Sequence, residues 1–219
     1  MTNASRRSLL TSAALWTGLA VTGGLGGCSP LLPKPPPAPA QFALDDPAPA
    51  EPSPQMSPAA GPTLIVSAPR AAAGFDTRRI VYLRQPHELE AFAYHQWVDT
   101  PAQMIAPLIA QAVERSGAFR AVLRAPSAAI AELRLDTELI RLQHEFLVQP
   151  SRVRLTLRAV MVDTATRRVL AWREFDTSVR SASEDPYGGV VAANQAVREL
   201  LPELAAFCAR TAALPAGAR

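Results

Sequence analysis

Proline is spread so unevenly along this chain that it divides the sequence before any other pattern is considered. Twelve of the 21 prolines lie between Pro30 and Pro62, among alanines, serines and acidic residues, with no apolar periodicity. Such a stretch buries too little apolar area to offset its ordering entropy, so it is expected to be a disordered, partly polyproline linker. At about 3.1 Å per residue its reach would be on the order of 100 Å. Folding is left to the stretch from Thr63 to about Ala213, roughly 150 residues and one domain's worth.

The segment ahead of the linker has the layout of an export signal. Arg6 and Arg7 form a positive start, an uncharged apolar stretch runs from Leu9 to about Leu25, and small residues lead to Leu25-Gly26-Gly27-Cys28. The apolar stretch is short for a bilayer span, which needs about 20 residues. A cysteine at the cut site resembles the bacterial lipoprotein box. That resemblance implies cleavage between Gly27 and Cys28 and acylation of Cys28 by fatty acids such as palmitate. Ser5-Arg6-Arg7-Ser8-Leu9-Leu10 also resembles a twin-arginine signal, which leaves the export route open between that and the general secretory one. Ser29 stands where an aspartate would suggest retention at the inner membrane, so the outer membrane is the expected anchor site. The expected organisation is 1–27 signal peptide, 28–62 tether, 63–213 folded body and 214–219 tail.

Within the body, period-two and period-3.6 patterns alternate. Strands are expected at Thr63–Ser67, Arg79–Leu83, Leu89–Trp97 and Phe119–Leu123. In the third, Phe92 and Tyr94 would share one face. Thr100, Pro101 and Gln103 fit a capping box, Gly117 fits a helix stop, and Met104, Ile105, Leu108, Ile109, Ala112 and Val113 share a helical face. Pro107 should kink that helix or delay its start. From Glu132 to Phe146, Leu133, Leu135, Thr137 and Leu139 alternate with Arg134, Asp136 and Glu138. From Arg152 to Val162, Val153, Leu155, Leu157, Ala159 and Met161 alternate with polar residues. Another strand should run from Arg168 to about Val179, making an antiparallel meander with one buried face. A helix starting at Asp185-Pro186 carries Val190, Asn194, Val197, Leu201, Leu204 and Cys208 on its inner stripe. The fold class is α/β: one compact domain with a mixed, largely antiparallel sheet flanked by two helices.

Charge and residue usage exclude several functions. Without Arg6 and Arg7 the 22 basic residues fall to 20 against 19 acidic ones, a net +1 that demands no nucleic-acid partner. Lys34 is the sole lysine, so the body has neither Schiff-base lysine nor P-loop lysine. His87, His95 and His144 lack metal-ligand spacing, and no G-x-S-x-G elbow occurs. No metal, cofactor or catalytic residue is expected, and Cys208 reads as a small buried hydrophobe. Asp136 and Glu138 share a strand face with Arg134, which suits cross-strand ion pairing. The row Arg152, Arg154, Arg158 fits the same pattern, or a docking surface for an acidic partner protein. Tyr82, Phe92, Tyr94 and Trp97 suit core packing, with a lipid-binding groove as the other reading.

The run Arg79-Ile80-Val81-Tyr82, then Glu88-Leu89-Glu90-Ala91-Phe92-Ala93-Tyr94-His95-Gln96-Trp97, Pro101, Gly117-Ala118-Phe119 and the alternating strands from Leu133 to Val179 resemble the ABC-type transport auxiliary lipoproteins of the PqiC-like kind. The resemblance implies a non-enzymatic lipoprotein at the outer membrane, with an MCE-domain protein and an ABC permease as partners in lipid transport. A homo-oligomer is left open. The long proline-rich tether departs from the family pattern. The alternative is a lipoprotein activator of a peptidoglycan synthase, a class that also joins a lipid anchor, a linker and a small α/β domain.

Overall fold

The computed structural model describes residues 37–45 and 61–214. The expected signal peptide and the expected Gly27–Cys28 processing site lie outside them. Strand β1 (Ala40–Phe42) comes first, inside the stretch expected to be a structureless tether. It is followed by β2 (Thr63–Val66), β3 (Arg70–Ala71), β4 (Arg79–Leu83) and β5 (Glu90–Trp97). Helix α1 (Pro101–Arg115) and β6 (Ala121–Arg124) lead to three long strands, β7 (Leu133–Glu145), β8 (Arg152–Asp163) and β9 (Val169–Arg180). Helix α2 (Pro186–Ala212) closes the body.

The nine described strands form one mixed sheet centred on β7. On one side β7, β8 and β9 make the expected antiparallel meander. Along the other edge of β7, the short strands β2, β3 and β4 pair with it in parallel, end to end. β5 and then β1 extend the sheet beyond β4, and β6 pairs in parallel with β2. The segment around Phe119–Leu123 is thus no part of the meander: its strand lies across the sheet from β8. The two helices pack against each other and cover one face. Leu155, Leu157, Ala159 and Met161 from β8 and Leu200, Leu201, Leu204 and Cys208 from α2 are all buried there.

A β-bulge reverses the faces of β7 partway along. Leu139 opposes Leu157, but Arg141 opposes Thr156, so Ile140 is an extra residue. Before it the odd-numbered residues Leu133, Leu135, Thr137 and Leu139 face inward; after it Leu142 and His144 do. Strict alternation over Glu132–Phe146 would have turned His144 to the opposite face, and the bulge turns it toward α2.

The helices begin and end as their cap residues require, with one correction. Thr100 is extended and Pro101 opens α1, but the Thr100 side chain makes no capping hydrogen bond, so the expected capping box does not form. Its own N–H is held by Asp99 Oδ1 at 2.7 Å. Pro107 sits inside α1 without delaying its start. Gly117 takes φ +66, a conformation costly for side chains with a Cβ, and stops the helix. Asp185 caps α2 by accepting from the Gly188 N–H at 2.7 Å, and that bond holds its carboxyl below the usual range.

β1 is held by α2. Buried Asn194 accepts from the Asp45 N–H at 2.8 Å and donates to the Ala43 carbonyl at 3.1 Å. Leu44 enters the core between these bonds. Eleven residues lie between Cys28 and Ala40. Chain of that length spans at most about 40 Å, well short of the reach expected when all of 28–62 is free.

Candidate docking surfaces and a buried histidine

The outer face of the meander is a ladder of ion pairs. Arg152, Arg154 and Arg158, the expected docking row, do share this face. Arg152 Nε lies 2.8 Å from Glu145 Oε2, and Arg154 Nη2 lies 2.7 Å from Asp176 Oδ2 with Nε on the same carboxylate. Arg158 bridges Glu138 at 3.4 Å and Glu174 at 3.1 Å. Arg134 holds Asp136, which also accepts from Ser67 Oγ at 2.6 Å. The Arg154 hydrogen bond, helped by Thr156, holds the Asp176 carboxyl below its usual range. In the Arg154 and Arg158 pairs both partners are about two-fifths exposed, so each contributes about 0–1 kcal/mol, whereas the Glu145 carboxylate that Arg152 meets is buried. Each arginine of the row is met by a carboxylate of a neighbouring strand, which leaves this face patterned in charge and close to neutral.

His144 and Ser151 form a pair that spacing along the sequence does not announce. His144 Nε2 and Ser151 Oγ are 2.8 Å apart, the contact of a nucleophile with its base. Both residues are sealed in, at 2 % and 0 % exposure. Nδ1 has no hydrogen-bond partner, so no carboxylate orients the ring. Glu184 Oε1 accepts instead from the Ser151 N–H at 2.7 Å. A Cβ on Gly189 would stand 2.5 Å from Nδ1, so only glycine lets α2 pass this close to the ring. Burial lowers the His144 pKa, against the opposing pull of Glu184 and Asp185. With no path for a substrate, the pair serves packing: it seats the start of α2 on the end of β7.

The other singled-out residues divide between core and surface. Cys208 is fully buried, and burial pushes its thiol pKa up to about 12, which keeps it unreactive. Trp97 and Tyr82 are core residues, with the Tyr82 hydroxyl donating to Glu90 Oε2 at 2.7 Å. Phe92 is half-buried and Tyr94 is 51 % exposed, so they do not share the environment expected from strict alternation. The register of β5 slips where it passes Ile80, which breaks that alternation. Two hollows border α2. One, of about 370 Å³, lies between β1 and α2 and is lined by Phe42, Tyr187, Val191 and Arg198. The other, of about 640 Å³, lies between α1 and α2 over Ala112, Leu201, Ala205 and Ala209, flanked by Arg115 and Arg198. Among the described residues, no group of three or more His, Cys, Asp or Glu is arranged to hold a metal ion.

Phe42, Phe146 and Tyr187 are surface aromatics that periodicity does not select. The one local signal is Phe146-Leu147-Val148, three apolar residues in succession at a strand end, where a polar turn is the norm.

Comparison with known proteins places this architecture. No curated protein matches the chain. The fold is similar to the crystal structure of protein XCC0632 from Xanthomonas campestris, at TM-score 0.64 and 25% identity over 80% of this chain and 94% of that one. It is also similar to the hypothetical protein CT253 from Chlamydia trachomatis, at TM-score 0.50 and 10% identity over 70% of this chain and 99% of that one, a likeness of fold alone. The family model of the ABC-type transport auxiliary lipoprotein component matches residues 42–205, from the last residue of β1 to deep in α2. The chain therefore belongs to the ABC-type transport auxiliary lipoproteins, lipid-anchored envelope proteins that accompany ABC-type transporters.

Proposed function

We propose that this protein is a non-catalytic, periplasmic component of an MCE-type lipid transport system, anchored through acylated Cys28 in the outer membrane and docking the MCE protein and its ABC permease there. The observation that carries this reading is the family match across the folded body, and the resemblance of Leu25-Gly26-Gly27-Cys28 to a lipoprotein box supports it. The sealed His144–Ser151 pair supports a role without chemistry, since it is the one nucleophile–base contact described and no substrate can reach it. The Arg152, Arg154 and Arg158 face remains the candidate for the partner. Its paired charges would set register and specificity more than affinity.

The peptidoglycan-synthase reading requires a leash that crosses the periplasm to a partner in the inner membrane. Anchoring of β1 by Asn194 leaves at most about 40 Å between Cys28 and the body, which favours a partner that comes to the outer membrane. Affinity purification of the full chain from native envelope, with mass spectrometry of what accompanies it, tests the choice. MCE and permease subunits are expected; cell-wall synthases in their place would refute the transport reading. Cys28→Ala should leave the body folded and release it from the membrane fraction.

A further inference from the structure

Four separate segments contribute to one aromatic surface at the β1 end of the sheet. The rings of Tyr187, Phe42, His95, Phe92 and Phe146 follow one another with centroid separations of 6.3, 6.0, 6.2 and 6.5 Å. Tyr187 is 63 % exposed and the other four are half-buried. Leu147 and Val148, both exposed, continue the surface onto the β7–β8 loop. A contiguous apolar patch that folding leaves open marks a site of interaction.

Position and composition say what covers it. Phe42 belongs to β1, the first strand after the anchor, so the leash from Cys28 enters the body at the border of this patch and spans at most about 40 Å. Through Phe42 the patch therefore borders the point where the described body begins along the chain from the anchor. Tyr187 and His95 carry a polar tip on a ring, the kind of side chain that suits the lipid headgroup boundary, and Phe42, Phe92 and Phe146 add apolar area beside them. A cation is in place as well: the Arg84 guanidinium lies 5.1 Å from the Tyr82 ring centroid, and Tyr82 packs on Phe92 at 4.4 Å. Anionic headgroups would find their counter-charge there.

We propose that the aromatic face formed by Tyr187, Phe42, His95, Phe92 and Phe146 rests on the bilayer surface beside the acylated cysteine, which fixes the orientation of the body on its membrane. The inference rests on the lipid anchor of the proposed function. It leaves the ion-paired face of the meander free for the protein partner.

Trp172 supplies an internal control. It opposes Val160, which opposes Asp136, eight residues along β7 from His144, or about 27 Å at the rise of a strand. The full acylated chain is reconstituted in phosphatidylethanolamine–phosphatidylglycerol vesicles, with and without brominated acyl chains, as wild type and as Tyr187→Trp. Expected is an added emission component in Tyr187→Trp that shifts to shorter wavelength and is quenched by the brominated lipid beyond any quenching of the wild-type emission, which comes from Trp172 and from Trp97 in the core opposite Phe42. Val148→Trp, on the β7–β8 loop, should give the same result. An added component that stays unshifted and unquenched, in protein that floats with the vesicles, overturns the bilayer contact alone and points to a protein as the cover. Protein that does not float with the vesicles overturns the anchor, and this inference with it.

Discussion

The two sides of β7 are built in different ways. Toward β8 and β9 the strands are 12 to 13 residues long, antiparallel and joined in sequence order. Toward β2, β3 and β4 they are two to five residues long, parallel, and recruited from distant parts of the chain. Antiparallel neighbours need only a short turn, whereas parallel pairs need a crossover before any ladder bond can form. The meander therefore stands on its own alternation, and the patchwork side stands on a few long-range ties. Asn194 reaches back 151 residues to Ala43. Gly189 lies against His144 at the junction of the two sides.

Substitutions can break this contrast, starting where the effect is largest. Leu157→Ala, at the fully buried centre of β8, should cost about 2–5 kcal/mol in chemical denaturation and lower the stability of the whole body. A loss confined to one region would contradict a single core. Gly189→Ala drives a methyl into the His144 ring and should cost about 1–3 kcal/mol, partly recovered in combination with His144→Ala. Additive losses in the double variant would refute the contact. Asn194→Ala leaves the Asp45 N–H and the Ala43 carbonyl unpaired, at a cost of about 1–2 kcal/mol. Amide exchange should then accelerate in β1 while the amides of β8 stay protected; protection kept in β1 would show that Asn194 does not hold it.

Acid should act on the same junction. His144 is buried neutral, so the unfolded chain, with an ordinary imidazole pKa of about 6.5, takes up a proton at higher pH than the folded one does. Its contribution is complete above about pH 6.5 and is lost as pH falls from there toward the lowered folded-state value. A titration of melting temperature should show this decline, and His144→Asn should flatten that part of it. An unchanged slope would place the titrating group elsewhere. The smallest effect belongs to the outer face: Arg154→Ala, despite two hydrogen bonds to one carboxylate, should cost under about 1 kcal/mol because the pair is solvated. A much larger loss would mean that the ladder is structural.

Legibility in the sequence follows the same division. Leu133 to Leu139 and Val153 to Met161 alternate cleanly because each residue's face is set by its neighbours two positions away. The cap residues Asp185 and Pro186 and the stop at Gly117 are equally local. β1 was hidden by the prolines around it: three residues carry no periodic signal, and their ladder partner β5 lies some 50 residues on. The aromatic face was hidden for a related reason, since its rings come from β1, β5, the end of β7 and the start of α2.

What the amino-acid sequence determined by itself is whatever depends on residues a few positions apart: the starts of the two helices, the stop at Gly117, the meander and the charged face that it turns outward. What only the tertiary structure decided is parity after Ile140 and proximity across the sheet. One extra residue in β7 exchanges the faces of everything after it, and whether it is accommodated depends on how β8 pairs alongside. That single step put His144 under α2 instead of on the opposite face of the sheet, and long-range pairing joined the aromatic segments into one surface.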